Sequence, residues 1–212
     1  MSELKILYRA LGMMPTNVYF LANTETKEVI IVDPAANAEF IKRTVAAYEY
    51  KPVAMLLTHG HFDHILAVND LKEAWPDVKV YAYELERELL ATPNMNCSGR
   101  WLPEPYVTKA DVWLKNHQKL QLAGFDIEVL HTPGHTGGSC CYYLAEEKTL
   151  MSGDTLFRES YGRTDLDTGS MMQMNQSINE VLMKLPDDVD VYPGHGDVTD
   201  IGHERDYNPI VF

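Results

Sequence analysis

Apolar residues in this chain recur in short runs, either at every second position or without interruption, and Pro, Gly and charged turns separate the runs. That pattern is the signature of β-strands. KILYRAL (5–11), NVYFLAN (17–23) and EVIIVD (28–33) are three such runs, divided at Pro15 and at the polar turn 24–27. Over 35–50 the period changes, and Phe40, Ile41, Val45 and Tyr48 fall on one helical face. Pro52 precedes VAMLLT (53–58), a continuous apolar run of the kind a strand buried on both faces requires. The spacing then predicts a helix over 65–75 closed by Pro76, a strand VKVYA (78–82) and a short helix over 84–90. Residues 91–107 are rich in Pro, Asn, Ser and Gly, carry Trp101, and read as a long loop. Such a loop is a lid over a site or a crossover between halves of the fold.

The second half repeats this rhythm. VWLK, KLQLAG, FDIEVLHT, SCCYYLA and KTLMSGD are successive strands, 170–185 is a helix ended by Pro186, VDVYPG is a last strand, and 197–212 is a short helix with a tail. Each half has strands, then helix and strand, with a His-bearing loop at a strand end. Strand clusters alternating with helices predict an α+β fold of two packed sheets with helices outside.

At 212 residues the chain is long enough for one large domain, read as 1–212, with a well-buried core. Its net charge of −13 argues against nucleic acid as a partner, because phosphate contacts come from Lys and Arg. No run approaches the roughly 20 apolar residues that span a bilayer. The first residues show no long apolar secretion core, so a cytoplasmic location is expected, with no membrane partner. Three cysteines, two of them adjacent, do not form a disulfide framework. Cys140 and Cys141 are expected on opposite faces of one strand. Cys97 falls in the loop.

The chemistry concentrates in LLTHGHFDHILAV. Immediately after an apolar strand come His59, His61, Asp63 and His64, in a chain with only 8 His. In an extended turn His59 and His61 point toward one ion, while Asp63 and His64 open the next helix and turn toward a second. Imidazole and carboxylate donors suit zinc, iron or manganese. His135 sits in a Pro- and Gly-rich turn after a strand, and His131 reads as a strand-end residue. Asp154 follows Gly153 at a strand end, where a carboxylate can bridge two cations, and His195 lies in a Gly-flanked turn after the last strand.

This set, HxHxDH at 59–64 with His135, Asp154 and His195 in that order, resembles the metallo-β-lactamase superfamily. TNVYFL, IIVDP, TPGHTGGS, SGDTLF followed by GRTDL, PGHGD and IGHERDYNP resemble its short glyoxalase II-like branch, that of hydroxyacylglutathione hydrolases. The resemblance implies an αββα sandwich with two divalent metal ions, zinc first and iron or manganese as alternatives. It assigns His59, His61 and His135 to one ion and Asp63, His64 and His195 to the other, with Asp154 bridging. Two cations sharing a water lower its pKa from 15.7 toward about 7, so hydroxide forms at neutral pH and attacks a carbonyl. Asp63 would orient it. The implied activity is thioester hydrolysis of a small-molecule substrate.

The branch uses a Lys and a Tyr after GDTLF to grip the thiol's peptide part. Arg163 stands at the Lys position and Asp165 at the Tyr position. Arg163 is thus either a substrate anchor or the partner of Asp165 or Asp167. Only 17 residues follow His195, too few for the helical glutathione-binding domain of the longer enzymes. The family offers two other activities: a persulfide dioxygenase, which also carries GRTD after the bridging Asp and uses one iron, and a lactonase or β-lactamase. A binding protein with a decayed site would have lost a ligand, and none is lost.

Overall fold

The computed structural model describes residues 3–211; the ends of the expected domain, Met1, Ser2 and Phe212, lie outside it. Chain order begins with β1 (Leu4–Leu11), β2 (Thr16–Asn23), β3 (Glu28–Val32), α1 (Ala38–Ala47) and β4 (Lys51–Leu56). There follow α2 (Phe62–Ile65), α3 (Val68–Ala74), β5 (Lys79–Tyr83), α4 (Arg87–Ala91), α5 (Ser98–Trp101) and β6 (Val112–Leu114). These strands form a six-stranded sheet in the order β1-β2-β3-β4-β5-β6, antiparallel through β3 and parallel from β3 to β6.

The second half supplies β7 (Lys119–Leu122), β8 (Phe125–His131), β9 (Cys140–Leu144), β10 (Thr149–Gly153), β11 (Leu156–Phe157), β12 (Ser160–Tyr161), α6 (Met171–Gln176), β13 (Asp190–Pro193), β14 (Thr199–Asp200) and α7 (Ile201–Tyr207). The second sheet runs β14-β13-β10-β9-β8-β7, and β10 pairs parallel with β13. The small hairpin β11–β12 stands apart.

Strand periodicity explains the layers. In β2, Val18, Phe20 and Ala22 pack with Ile41 and Val45 of α1 and Leu71 of α3, whereas Tyr19 and Leu21 face Phe125, Ile127 and Tyr142 of the other sheet. In β9, Cys140 joins that central layer and Cys141 turns to the outer one, with Met174, Ile178 and Ile201. The order is therefore helices, sheet, sheet, helices: the expected α+β sandwich of two mixed sheets.

The differences from the sequence reading trace to particular hydrogen bonds, some local and some across the fold. The helix expected over 65–75 is two pieces, because the Ala67 amide donates to Pro34 O at 2.9 Å and leaves the helical ladder. The helix expected over 35–50 begins only after Asn37, whose side chain caps the Phe40 amide. The helix expected over 170–185 is α-helical only to Gln176, then widens to a π-turn over Ser177–Val181 and tightens to a 3-10 turn over Leu182–Lys184. Ser177 Oγ donates to Pro133 O at 2.6 Å at that change. The loop 91–107 contains α5 and is tied across itself: Asn96 Nδ2 and Ser98 Oγ both donate to Tyr106 O. No helix among the described residues is long and apolar enough to cross a membrane.

Candidate metal centre

The C-terminal ends of β4, β8, β10 and β13 open onto one edge of the sandwich; His59, His61, His135, Asp154 and His195 lie in the turns that follow them, and Asp63 and His64 in the short helix α2. His59, His61 and His135 converge as one group, His59, His64 and Asp154 as a second, and Asp63, His64 and His195 as a third, with each group's donor atoms within 4.8 Å of one another. Asp154 Oδ1 lies 3.4 Å from His64 Nε2, and its Oδ2 lies 3.5 Å from both His135 Nε2 and His195 Nε2. The carboxylate thus reaches both sets of histidines, as a bridging ligand must. Gly194 leaves the space for this: a Cβ there would overlap Asp154 Oδ1 and meet His64 Cε1 at 2.7 Å.

Acceptors behind the histidines fix which nitrogen faces inward. His135 Nδ1 donates to Arg163 O at 2.7 Å, and His64 lies with Nδ1 2.9 Å from Asp33 Oδ2. Thr58 Oγ1 donates to Asp33 Oδ2, so its lone pair is available to His59 Nδ1 at 3.2 Å. When such a ring is neutral, its Nε2 is left with a bare lone pair toward the centre, the arrangement a metal-ligating histidine needs.

Electrostatics point to the same chemistry. Burial holds His59 and His135 below the usual histidine range and drives His61 down to about 3, so these rings present lone pairs. Burial would raise Asp63, but His64 and His195 bring it down to about 2. Burial likewise opposes charge on His64 and His195, yet the carboxylates win: Asp154, Asp63 and Asp33 hold His64 well above its usual range, and Asp154 and Asp63 lift His195 to about 9. The acidic groups draw positive charge into the cluster. His59 Nε2, His61 Nε2 and Asp154 Oδ1 are buried with no hydrogen-bond partner, a costly state for polar atoms in the protein alone. Divalent cations held by these residues would satisfy all three, and the donor set fits them.

The centre forms the floor of a cavity of about 420 Å³. Met14, Phe62, Trp101, Phe157 and Leu166 supply apolar walls, and Arg100 and Arg163 stand among them. Of the two roles open to Arg163, the ion pair is present: Nε and Nη2 donate to Asp165 at 2.7 and 2.8 Å, while Asp167 is not its partner. Arg163 nonetheless lines the cavity. His131 stays outside the cluster, stacked on Tyr83 at 4.2 Å and donating to Gly137 O.

Sequence reasoning missed several supporting groups. Asp33 appeared only as a strand end. Thr16 Oγ1 donates to Asp63 Oδ2 at 3.0 Å. Asn17 Nδ2 donates to Pro193 O and Gly196 O, and Tyr19 OH donates to Pro193 O, so β2 clamps the His195 turn. The TNVYFL and IIVDP strings were visible, but their hydrogen bonds cross the fold and leave no periodic trace. Trp101 and Arg100 were not read as wall residues, yet both line the cavity.

Comparison with known proteins agrees with this geometry. Residues 11–195 match the metallo-beta-lactamase superfamily model. A probable metallo-hydrolase of Streptococcus pyogenes is 37% identical over 92% of this chain and 84% of its own. Hydroxyacylglutathione hydrolase GloC of Haemophilus influenzae is 33% identical, covering 88% of this chain and 89% of its own. Among solved structures, BLEG-1 B3 metallo-beta-lactamase superposes with a TM-score of 0.92 at 40% identity, covering 98% of this chain and 99% of its own. TTHA1623 in a di-iron-bound form gives 0.86 at 33%, covering 97% and 100%. With its fold, its complete His and Asp cluster and these relatives, the chain belongs to the metallo-β-lactamase superfamily and is a metal-dependent hydrolase of that family.

Proposed function

We propose that this chain is a thioesterase of the glyoxalase II type, cleaving small S-acyl thiols of the hydroxyacylglutathione class at a two-metal centre. The observation that carries the reading is the union of a seven-ligand cluster with an apolar-walled cavity that has two arginines among its lining residues. The likeness to a hydroxyacylglutathione hydrolase supports it.

Bound divalent cations supply Lewis acidity, which lowers the pKa of a water and polarises a carbonyl. The chain's own groups do the rest. Asp63, its Oδ2 held by Thr16 and 3.3 Å from His195 Nε2, orients the attacking water. Phe62, Trp101 and Met14 pack against the acyl and thiol chains and keep bulk water from them. Arg163 and Arg100 attract the carboxylates of a peptidic thiol. No serine or cysteine nucleophile takes part. Cys97, Cys140 and Cys141 are all free and buried, which fits a reducing compartment, and we place the protein in the cytoplasm as a single domain.

Similarity to a B3 metallo-beta-lactamase supports a second reading, hydrolysis of a cyclic amide by the same attack on a carbonyl. Parallel assays with S-D-lactoylglutathione and a chromogenic β-lactam separate the two. Thioester turnover with little β-lactam turnover is expected; the reverse would transfer the assignment to the cyclic amide. A protein holding a single iron that consumes oxygen with glutathione persulfide, and hydrolyses neither, would replace both with the dioxygenase reading.

A further inference from the structure

Glu86 ends a 3-10 turn after β5, is 1% exposed, and bonds no cation among the described residues. Its partners are two backbone amides and one hydroxyl. Oε2 accepts from Gly60 N at 2.6 Å, and Oε1 accepts from Thr136 Oγ1 at 2.8 Å and from Gly138 N at 2.9 Å. A buried carboxylate with no counter-ion is unfavourable unless its hydrogen bonds are well made. Burial accordingly pushes this carboxyl up to about 7, against the pull of those three donors. Apolar packing alone would be served better by a leucine.

The placement of the bonds gives the carboxylate its use. Gly60 lies between His59 and His61, and Thr136 and Gly138 follow His135. One carboxylate therefore ties together the two turns that carry the first ligand group, across 26 residues on one side and 52 on the other. Those turns need accurate registration: His61 Nδ1 and His135 Nε2 stand 2.8 Å apart, and metal–ligand distances tolerate about 0.2 Å. Gly138 is shaped to this contact, since a Cβ there would lie 2.5 Å from Glu86 Oε1. Ser139 braces the same turn, with its Oγ 2.7 Å from Thr136 Oγ1 and accepting from Thr136 N at 3.0 Å.

We propose that Glu86 is a positioning residue that sets the geometry of the His59, His61 and His135 metal group by holding its two turns in register. The proposal rests on the metal centre and is independent of the substrate. Glu86→Gln keeps the shape but turns an NH2 toward an amide N–H, breaking one arm of the tie.

The test is metal affinity of the full chain by chelator competition with Zn2+, together with the visible spectrum of the Co2+-loaded protein. Substitutions behind metal ligands typically weaken affinity about 10- to 100-fold. The expected result for Glu86→Gln is a loss of about tenfold at one of two sites, with altered Co2+ bands. Thr136→Val, which removes one donor and keeps the carboxylate, should show a smaller loss at the same site and serves if Glu86→Gln does not fold. Ile41→Val, a buried substitution in α1 remote from the centre, should lower Tm and leave both affinities and the spectrum unchanged. Wild-type affinities and spectrum in the Glu86 and Thr136 variants, or an equal loss in Ile41→Val, would overturn the proposal. A wild-type chain that binds no metal would overturn the metal centre itself, and the proposal with it.

Discussion

Asp33 and His64 are bound through Oδ2 and Nδ1 at 2.9 Å, and the same carboxylate receives Thr58 N at 2.8 Å and Thr58 Oγ1 at 2.6 Å. One buried group therefore orients two consecutive features of the centre: the His59 backbone, through Thr58, and the His64 ring. Asp33→Asn keeps the volume but presents an NH2 to one of these donors. Metal affinity should fall about 10- to 100-fold, which isothermal titration with Zn2+ would measure. An unchanged affinity would mean that packing alone orients the His64 ring.

Removing the metal should destabilise the fold, because the ligands come from turns far apart in sequence. Binding at about 100 times Kd stabilises by about 2.7 kcal/mol per site. In a domain of this size each kcal/mol shifts Tm by about 2–4 °C. Chelation should thus lower Tm by roughly 5–10 °C per site lost, measured by calorimetry with and without chelator. A Tm insensitive to chelator would argue against occupancy of the centre.

The Glu86 carboxyl gives a pH dependence of known sign. Its folded pKa, about 7, lies above the 4.5 of an unfolded carboxyl, with burial as the cause. Its contribution is fully present below pH 4.5 and is lost as pH rises through 7, on the order of 3 kcal/mol in total. In the metal-free protein, wild type should lose stability relative to Glu86→Gln across that window. Parallel denaturation curves at pH 5 and pH 7.5 check this, and a constant difference between the two proteins would contradict it.

Arg163 is tied to Asp165 but lines the cavity, so it can serve a substrate carboxylate only by sharing itself. Arg163→Ala should raise KM for S-D-lactoylglutathione several-fold with kcat nearly unchanged, the mark of uniform binding. Arg100→Ala should act in the same direction. If neither changes KM, the anionic end of the substrate lies elsewhere.

The legible part of this molecule and the illegible part differ in kind. The seven candidate ligands stood out because metal chemistry restricts residue type, and four of them crowd into six positions, 59–64. The strands were readable from alternation, down to the opposite faces of Cys140 and Cys141. Helix ends were not, because the Ala67 amide is diverted to Pro34 O and the Ser177 hydroxyl is bonded to Pro133 O, distant partners that no local pattern reveals. Glu86 was hidden for the same reason: in sequence it is one charge in ELEREL, and only the fold gives it three donors. Arg100 and Trp101 sat in a stretch read as a long loop, and the Asn96 and Ser98 bonds that shape it reach Tyr106 within the loop without any periodic trace in the sequence.

The most direct test of the thioesterase assignment is the rate of S-D-lactoylglutathione hydrolysis by protein of measured metal content. Turnover should rise with metal up to two ions per chain and disappear on chelation. A chain carrying two ions and leaving the thioester intact would contradict the assignment.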